Sequence, residues 1–414
     1  MMRPFGFKGG YLSELWNVYV SLESSNGLFG VGQGVQSCLW SDAAVFSSNS
    51  EAGGNSIMFA MTQHALKLAE GVSFRTPVEL NDWLFPQVWE YGKKVAADPK
   101  LRATFALNAL VPVDSAAWVL YARENGFGNF DRMIPAAYRP ALSARHGMCA
   151  SIPLLSYAVP IPEVRANAEE GYFFLKIKIG QAGTQEEMLK KDCERISAIH
   201  EALRDIRTPH TTSGKVQYYF DANGRYEKKE TFLRFVDHLD RIGALDQVAI
   251  IEEPFDEYAP VEVGDIPVRL AADESAHTVE DALKRIQMGY KAMALKPIAK
   301  TMSMSMKIAQ ASFEKGIPCF CADLTVNPVM VEWNKAVAAR LPAFPGLGSL
   351  GLVESNGHQN YTDWELMRQD LPWPDAPWTR TQKGVFVLDD DYWSKSGGIL
   401  ERVPRIEKLL HLEG

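Results

Sequence analysis

The feature that most constrains this chain is a series of eight short apolar segments, between about Ala150 and Ser355, most of which stop at a Lys, Asp or Glu just before a loop. They read SIPLLSYAV, FFLKIKIG, VQYYFDAN, VAIIEEP, VRLAADES, KAMALKP, IPCFCAD and SLGLVES. Continuous apolar runs of this length suit strands buried on both faces, and their alternation with amphipathic helices builds parallel βα units. Helical periodicity fills most of the gaps, as EEMLKKDCERISAIHEALRD, KETFLRFVDHLDRIGA, VEDALKRIQMG, SMKIAQASFEKG and VMVEWNKAVAARL; the fourth connector is short and irregular. The pattern predicts an α/β fold, a (β/α)8 barrel over residues 141–370, whose strand ends converge on the face where active sites form.

Residues 1–140 have another texture. LWNVYVSLES alternates, Ser25-Asn26-Gly27 supplies a turn and LFGVGQGV follows, which predicts a β-hairpin. Three helical stretches come next, ending with DSAAWVLYAREN, so this part is expected to be an α+β capping domain. In residues 371–414 the Pro- and Trp-rich stretch DLPWPDAPWTRTQKGVFVLDDDYW loses the periodicity and is expected to run back across the surface to complete the cap. GVGQG at Gly30 to Gly34 sits in a hairpin with no helix opening after it, which excludes a dinucleotide loop.

Composition narrows the partners. A net charge of -8 leaves no basic surplus for nucleic acid, and a small substrate is expected. No signal peptide and no apolar run of membrane-spanning length stand out, which points to a cytoplasmic protein without a membrane partner. The five cysteines lack disulfide or zinc spacing and read as reduced core thiols.

The acids Asp221 in YYFDANG, Glu252 in IIEEP and Asp273 in LAADES close three successive strands. An oxygen-only cluster of this kind favours Mg2+, with Mn2+ as a substitute, and without a cation the carboxylates would repel one another. Adjacent strand residues face opposite ways, so only one of Glu252/Glu253 and one of Asp273/Glu274 is expected to face the ion. Pro254 constrains Glu253 and favours Glu252; spacing does not decide the other pair. Lys176 and Lys178 in FLKIKIG share one strand face, and positive neighbours would lower the Lys178 pKa toward that of a usable base. Lys296 in AMALKP ends the sixth strand, across the barrel from the second.

The ordered set KIK, FDAN, IEEP, ADES and ALKP resembles the enolase superfamily, and most closely its muconate-lactonizing and mandelate-racemase-like branch. The resemblance implies Asp221, Glu252 and Asp273 as metal ligands, Lys178 and Lys296 as catalytic residues on opposite substrate faces, and Lys176 as their catalytic neighbour. It implies a metal-dependent enzyme that removes the α-proton of a small carboxylate substrate through an enediolate, with racemisation or epimerisation as the leading reaction. β-Elimination and cycloisomerisation share the first step. A Schiff-base aldolase using Lys296 and a non-catalytic metal-binding relative are the outlying readings.

The eighth strand reads Glu354-Ser355-Asn356 where dipeptide epimerases carry Asp-x-Asp, and the seventh ends CFCADLTVNP without the His of mandelate racemases. Asn223, Asp323, Asn327, Glu354 and Asn356 are the candidate substrate contacts, with a helix N-cap as the competing role for Asp323. His277 and His358 follow strands five and eight and, as loop histidines, are expected to be exposed. A homo-oligomer is expected.

Overall fold

The structure is a computed structural model that describes residues 5–7 and 10–412. Eight parallel strands form its centre: β1 (Met148–Ile152, continued by Leu154–Leu155), β2 (Phe174–Lys178), β3 (Gln217–Asp221), β4 (Val248–Glu252), β5 (Leu270–Ala272), β6 (Ala292–Leu295), β7 (Cys319–Cys321) and β8 (Gly351–Glu354). Each pairs with the next in chain order. Pro153 splits β1, whose first part pairs with β8 (Gly351 opposite Cys149) and whose second pairs with β2 (Leu154 opposite Lys176), so the sheet closes into a barrel. All eight lie on the apolar segments read from the sequence.

The alternation along β2 sorts side chains as a strand should. Phe174 joins the inner core with Tyr219, Ile250 and Phe320, whereas Leu175 and Ile177 pack outward with the helices. Outer helices Gln185–Leu203, Lys229–Arg241, Val279–Gln287, Met302–Glu314 and Pro328–Ala338 match the predicted connectors, and Ile161–Glu169 adds one between β1 and β2. No helix separates β4 from β5 among the described residues, apart from loop turns.

In the cap, hairpin Trp16–Glu23/Phe29–Gln36 packs on helix Ala103–Glu124, flanked by helices Ala43–Ala69 and Pro77–Val95. The glycines of GVGQG serve this packing: a Cβ on Gly32 would lie 2.2 Å from the Pro112 carbonyl oxygen and the Ala116 nitrogen. Helix Ala103–Glu124 corrects one expectation, since by length and composition it is apolar enough to cross a membrane. It is nevertheless buried, because it is the core helix of the cap and packs on the hairpin, both other long cap helices and the barrel. Its Trp118 donates to Ser303 Oγ at 3.1 Å, and Asp114 accepts from the Ser303 backbone at 3.2 Å, which pins the cap to the barrel.

The segment after residue 371 departs from the predicted path. Val385–Val387 first adds antiparallel to β1, with Phe386 opposite Cys149, and only then does the chain reach the cap. There Phe130 N–H donates to Ser396 Oγ at 2.8 Å, and the Arg402 guanidinium lies 5.7 Å from the Phe29 ring centre. The five cysteines are free thiols.

Candidate active site

The strand register assembles the site. Lys178 stands opposite Asp221, and Asp221 opposite Glu252, so three adjacent strands deliver one row of charged ends. β5 pairs Ala271 with Glu252, which carries Asp273 two residues beyond the row. Lys176, Lys178, Asp221, Glu252, Asp273 and Lys296 all line one pocket, covered by Leu12, Ser37 and Trp40 of the cap.

Charges in this pocket are tightly paired. Lys178 Nζ lies 2.6 Å from both Asp221 Oδ2 and Asn223 Oδ1. Lys176 Nζ lies 3.1 Å from Asp221 and Glu354 and 3.4 Å from Glu252. Lys296 Nζ pairs with Asp273 Oδ2, whose other oxygen is 3.0 Å from Lys300 Nζ. Burial disfavours ionisation of Asp221, but Lys176 and Lys178 outweigh it and hold the carboxyl below its ordinary range. Burial is likewise outweighed at Asp273, which Lys296 and Lys300 hold at about 2. At Glu252 burial wins, aided by Asp273 and against Lys176, and the carboxyl is pushed up to about 8.

That last group tests the fit of a metal ion. Glu252 Oε2 is buried and has no hydrogen-bond partner among the described residues, a costly state for a carboxylate that a cation relieves. Carboxylate oxygens of Glu252, Asp273 and Glu274 all lie within 4.8 Å of one another, and Asp221 lines the same pocket. An all-oxygen donor set with an unsatisfied buried oxygen fits a hard divalent ion.

The expectation that one residue of each acidic pair faces the cavity holds for one pair and fails for the other. Glu253, at φ 40°, turns away, and its Oε1 accepts from Asp273 N–H at 2.6 Å and Ser275 N–H at 2.9 Å. Asp273 and Glu274 both face the pocket. β5 ends at Ala272, so strand alternation no longer governs them. Glu274 Oε1 accepts from Asn223 Nδ2 at 3.1 Å.

The candidate substrate contacts divide. Asn223, Asp323, Glu354 and Asn356 line the pocket. Asp323 does not cap the next helix; its carboxylate accepts from the backbone of Leu324 at 2.7 Å and Asn356 at 2.8 Å, clamping β7 to β8, while burial and Glu354 push it up to about 7. Asn327 is not brought to the pocket. It is the N-cap of helix Pro328–Ala338, and its Nδ2 donates to Asn17 at 2.7 Å and Gln33 at 3.2 Å in the cap hairpin. Asn followed by Pro is an N-cap/N1 signature that would have assigned it from sequence.

Neither histidine is an exposed loop residue. His277 Nε2 lies 2.9 Å from Glu257, which also holds Arg102 of the cap at 2.5 Å, so the ring is half-buried beside a cap–barrel salt bridge. His358 is half-buried with its ring edge on Trp364, outside the charged pocket. Trp40 was not singled out in the sequence, because nothing local marks a cap residue that meets β6 only through the tertiary fold.

A closed barrel with strand-end lysines flanking a carboxylate cluster, under an α+β cap, defines an enzyme of the mandelate racemase/muconate lactonizing type. The chain belongs to the enolase C-terminal domain-like family, whose profile matches residues 162–375. It is similar to the L-Lys-D/L-Arg epimerase of Desulforapulum autotrophicum, at 24% identity over 391 residues, covering 88% of this chain and 94% of the relative. Among solved structures, a mandelate racemase/muconate lactonizing protein from Herpetosiphon aurantiacus superposes with a TM-score of 0.62 at 15% identity, covering 94% of this chain and 92% of the other. The N-succinyl Arg/Lys racemase of Bacillus cereus gives 0.59 at 19% identity, covering 87% and 84%. These structural likenesses carry the fold.

Proposed function

We propose that this enzyme racemises or epimerises the α-carbon of a carboxylate substrate, with Lys178 and Lys296 as the two proton-transferring groups. The observation that carries the reading is that β2 and β6, on opposite sides of the barrel, each deliver a lysine to one pocket, with the carboxylate cluster between them. A divalent ion such as Mg2+ or Mn2+, held by Asp221, Glu252 and Asp273, would supply electrostatic stabilisation of the negative charge that develops on the substrate carboxylate.

The chain's own groups do the rest. Lys178, aimed by Asn223, takes the α-proton of one stereoisomer at Nζ, and Lys296 delivers a proton from its own Nζ to the opposite face; for the other stereoisomer the roles exchange. Lys176, clasped by Asp221, Glu252 and Glu354, is held well above its ordinary pKa despite its burial and stays charged, keeping the acids in position. Leu12, Ser37 and Trp40 of the cap form part of the pocket wall. The relatives named for Lys- and Arg-containing substrates support an N-acylated or peptide-linked amino acid as the substrate class.

The test is proton exchange in deuterated buffer with Mg2+, using N-succinyl-arginine, N-succinyl-lysine and Lys-Arg dipeptides in both configurations. Deuterium enters the α-position, and Lys296→Ala abolishes exchange from one stereoisomer while sparing the other. Absence of α-deuterium across the panel, or equal loss from both stereoisomers, contradicts the two-base reading.

A further inference from the structure

β5 ends at Ala272, so the turn over residues 273–276 carries two pocket acids, Asp273 and Glu274, with no strand to hold it. Buried backbone that has left a sheet needs other partners for its N–H and C=O groups. Here the two sets are taken up by side chains of opposite chemistry. Glu253, just past β4, accepts from the Asp273 N–H at 2.6 Å and the Ser275 N–H at 2.9 Å. Lys300, past β6, donates from Nζ to the carbonyl oxygens of Asp273 at 2.5 Å and Ala276 at 3.1 Å. Both side chains are buried, and neither lines the pocket.

A hydrogen bond from a charged donor is roughly twice as strong as a neutral one, so a buried ammonium is a firm anchor for two carbonyls. Lys300 is itself aimed. Its N–H donates to the Lys296 carbonyl at 2.7 Å, which closes one turn between β6 and helix Met302–Glu314, and Thr301 caps that helix by accepting from Met304 N–H at 3.1 Å. The two ends of this turn meet different oxygens of Asp273. Lys296, a pocket residue, pairs with Oδ2, whereas Lys300 Nζ lies 3.0 Å from Oδ1. A base that acts on substrate must leave its carboxylate partner; bonds to two carbonyls outside the pocket need not break at any step.

We infer that Lys300 is a positioning residue for Asp273: it fixes the 273–276 turn from outside the pocket, so that Asp273 and Glu274 are in place before an ion arrives. This rests on the reading of Asp273 as a metal ligand. Lys300 acts on a bound cation in two opposed ways, because its charge repels the ion while a ligand already held in place binds it more tightly. The sign of the change on removing the lysine therefore tells which of the two governs.

Lys300→Met keeps the length and apolar bulk of the stem and removes charge and donors, and Lys300→Arg keeps both; each is checked for folding by circular dichroism. Binding of Mn2+ to the metal-free proteins is followed by calorimetry and by electron paramagnetic resonance of the free ion. Lys300→Met weakens binding about tenfold and Lys300→Arg by less than about threefold. Unchanged or tighter binding in Lys300→Met overturns the inference, since a merely structural lysine gives the first result and a merely electrostatic one the second. Equal weakening in both variants overturns it as well. Hydrogen exchange read by mass spectrometry supplies a second measurement without any ion: peptides covering residues 270–278 exchange severalfold faster in Lys300→Met, while those covering β3 and β4 keep their rates. Uniform acceleration across the barrel overturns the inference. If Lys300→Met does not fold, the unaltered protein decides: residues 273–276 are protected without metal, and Mn2+ changes their rates by less than about twofold. Free exchange that stops only when Mn2+ is added overturns the inference, because the ion would then be ordering the turn. If the unaltered protein binds no Mn2+, the assignment of Asp273 as a ligand fails, and the exchange comparison still decides whether Lys300 holds the turn.

Discussion

Glu252→Gln is the substitution whose consequence can be worked furthest from the structure. In the metal-free protein the Glu252 carboxyl stands at about 8 against an ordinary 4.5, because burial and Asp273 oppose its ionisation. The folded state then binds the proton more tightly than the unfolded chain. Its contribution to stability is fully present below about 4.5 and is lost as pH rises through about 8. Between pH 6 and pH 9 this amounts to about 3 kcal/mol of lost stability, at roughly 1.4 kcal/mol for each tenfold change in proton affinity. Gln has nearly the same shape and no charge, so the stability of the variant relative to the unaltered protein should improve by that amount over the same range. With an unfolding entropy of about 2.1 cal/mol/K per residue, the gap in melting temperature should widen by roughly 3 °C. Differential scanning fluorimetry in EDTA at a series of pH values reads it directly. Adding MgCl2 should stabilise the unaltered protein most at alkaline pH and the variant little. Parallel melting curves across the pH range, with equal responses to Mg2+, would refute the reasoning that an unsatisfied charge at Glu252 is what the ion relieves.

Three further outcomes follow from features already described. EDTA should abolish α-proton exchange and Mg2+ or Mn2+ restore it, without loss of far-UV circular dichroism. Arg102→Met leaves the half-buried Glu257 carboxylate with His277 as a remaining side-chain partner, and should cost about 1–2 kcal/mol in urea unfolding, with any kinetic effect expressed mainly in KM. Asn327→Ala removes an N-cap and two bonds to the cap hairpin, and should cost about 1–2 kcal/mol while the affinity for Mg2+, read by calorimetry, stays unchanged.

The barrel was legible because each strand is a short apolar run with a charged end, and a parallel barrel is the architecture that gathers such ends on one face. Lys178, Asp221, Glu252 and Lys296 could be placed for the same reason: strand periodicity fixes their faces and strand order fixes their neighbours. Legibility stopped where strands stop. The alternation rule allowed only one of Asp273 and Glu274 to face the ion, but it holds only inside a strand, and β5 ends before Asp273. His277 was expected at the surface because a loop position says nothing of Arg102 and Glu257, which are far away in sequence. The cap helices were found from their apolar spacing, but the first begins before the NSIMFAMTQHALKLAEG stretch that showed it; helix Ala43–Ala69 is capped by Asp42, whose side chain accepts from Ala44 and Val45 N–H, and is interrupted at Ser50. Helix Ala103–Glu124 has apolar residues all round because every side of it is covered, which leaves no amphipathic phase to read.

The kink at Glu253 has a consequence for anyone altering this pocket. Two consecutive acids leave the end of β4 in different directions, one toward the reaction chamber and the other holding the backbone of Asp273 and Ser275. The reach of one cavity acid is thus set by the sequence neighbour of another, across a strand boundary. A change at Glu253, which does not itself line the chamber, will be felt there as a misplaced Asp273, and the pair of acids is best treated as a single inherited part.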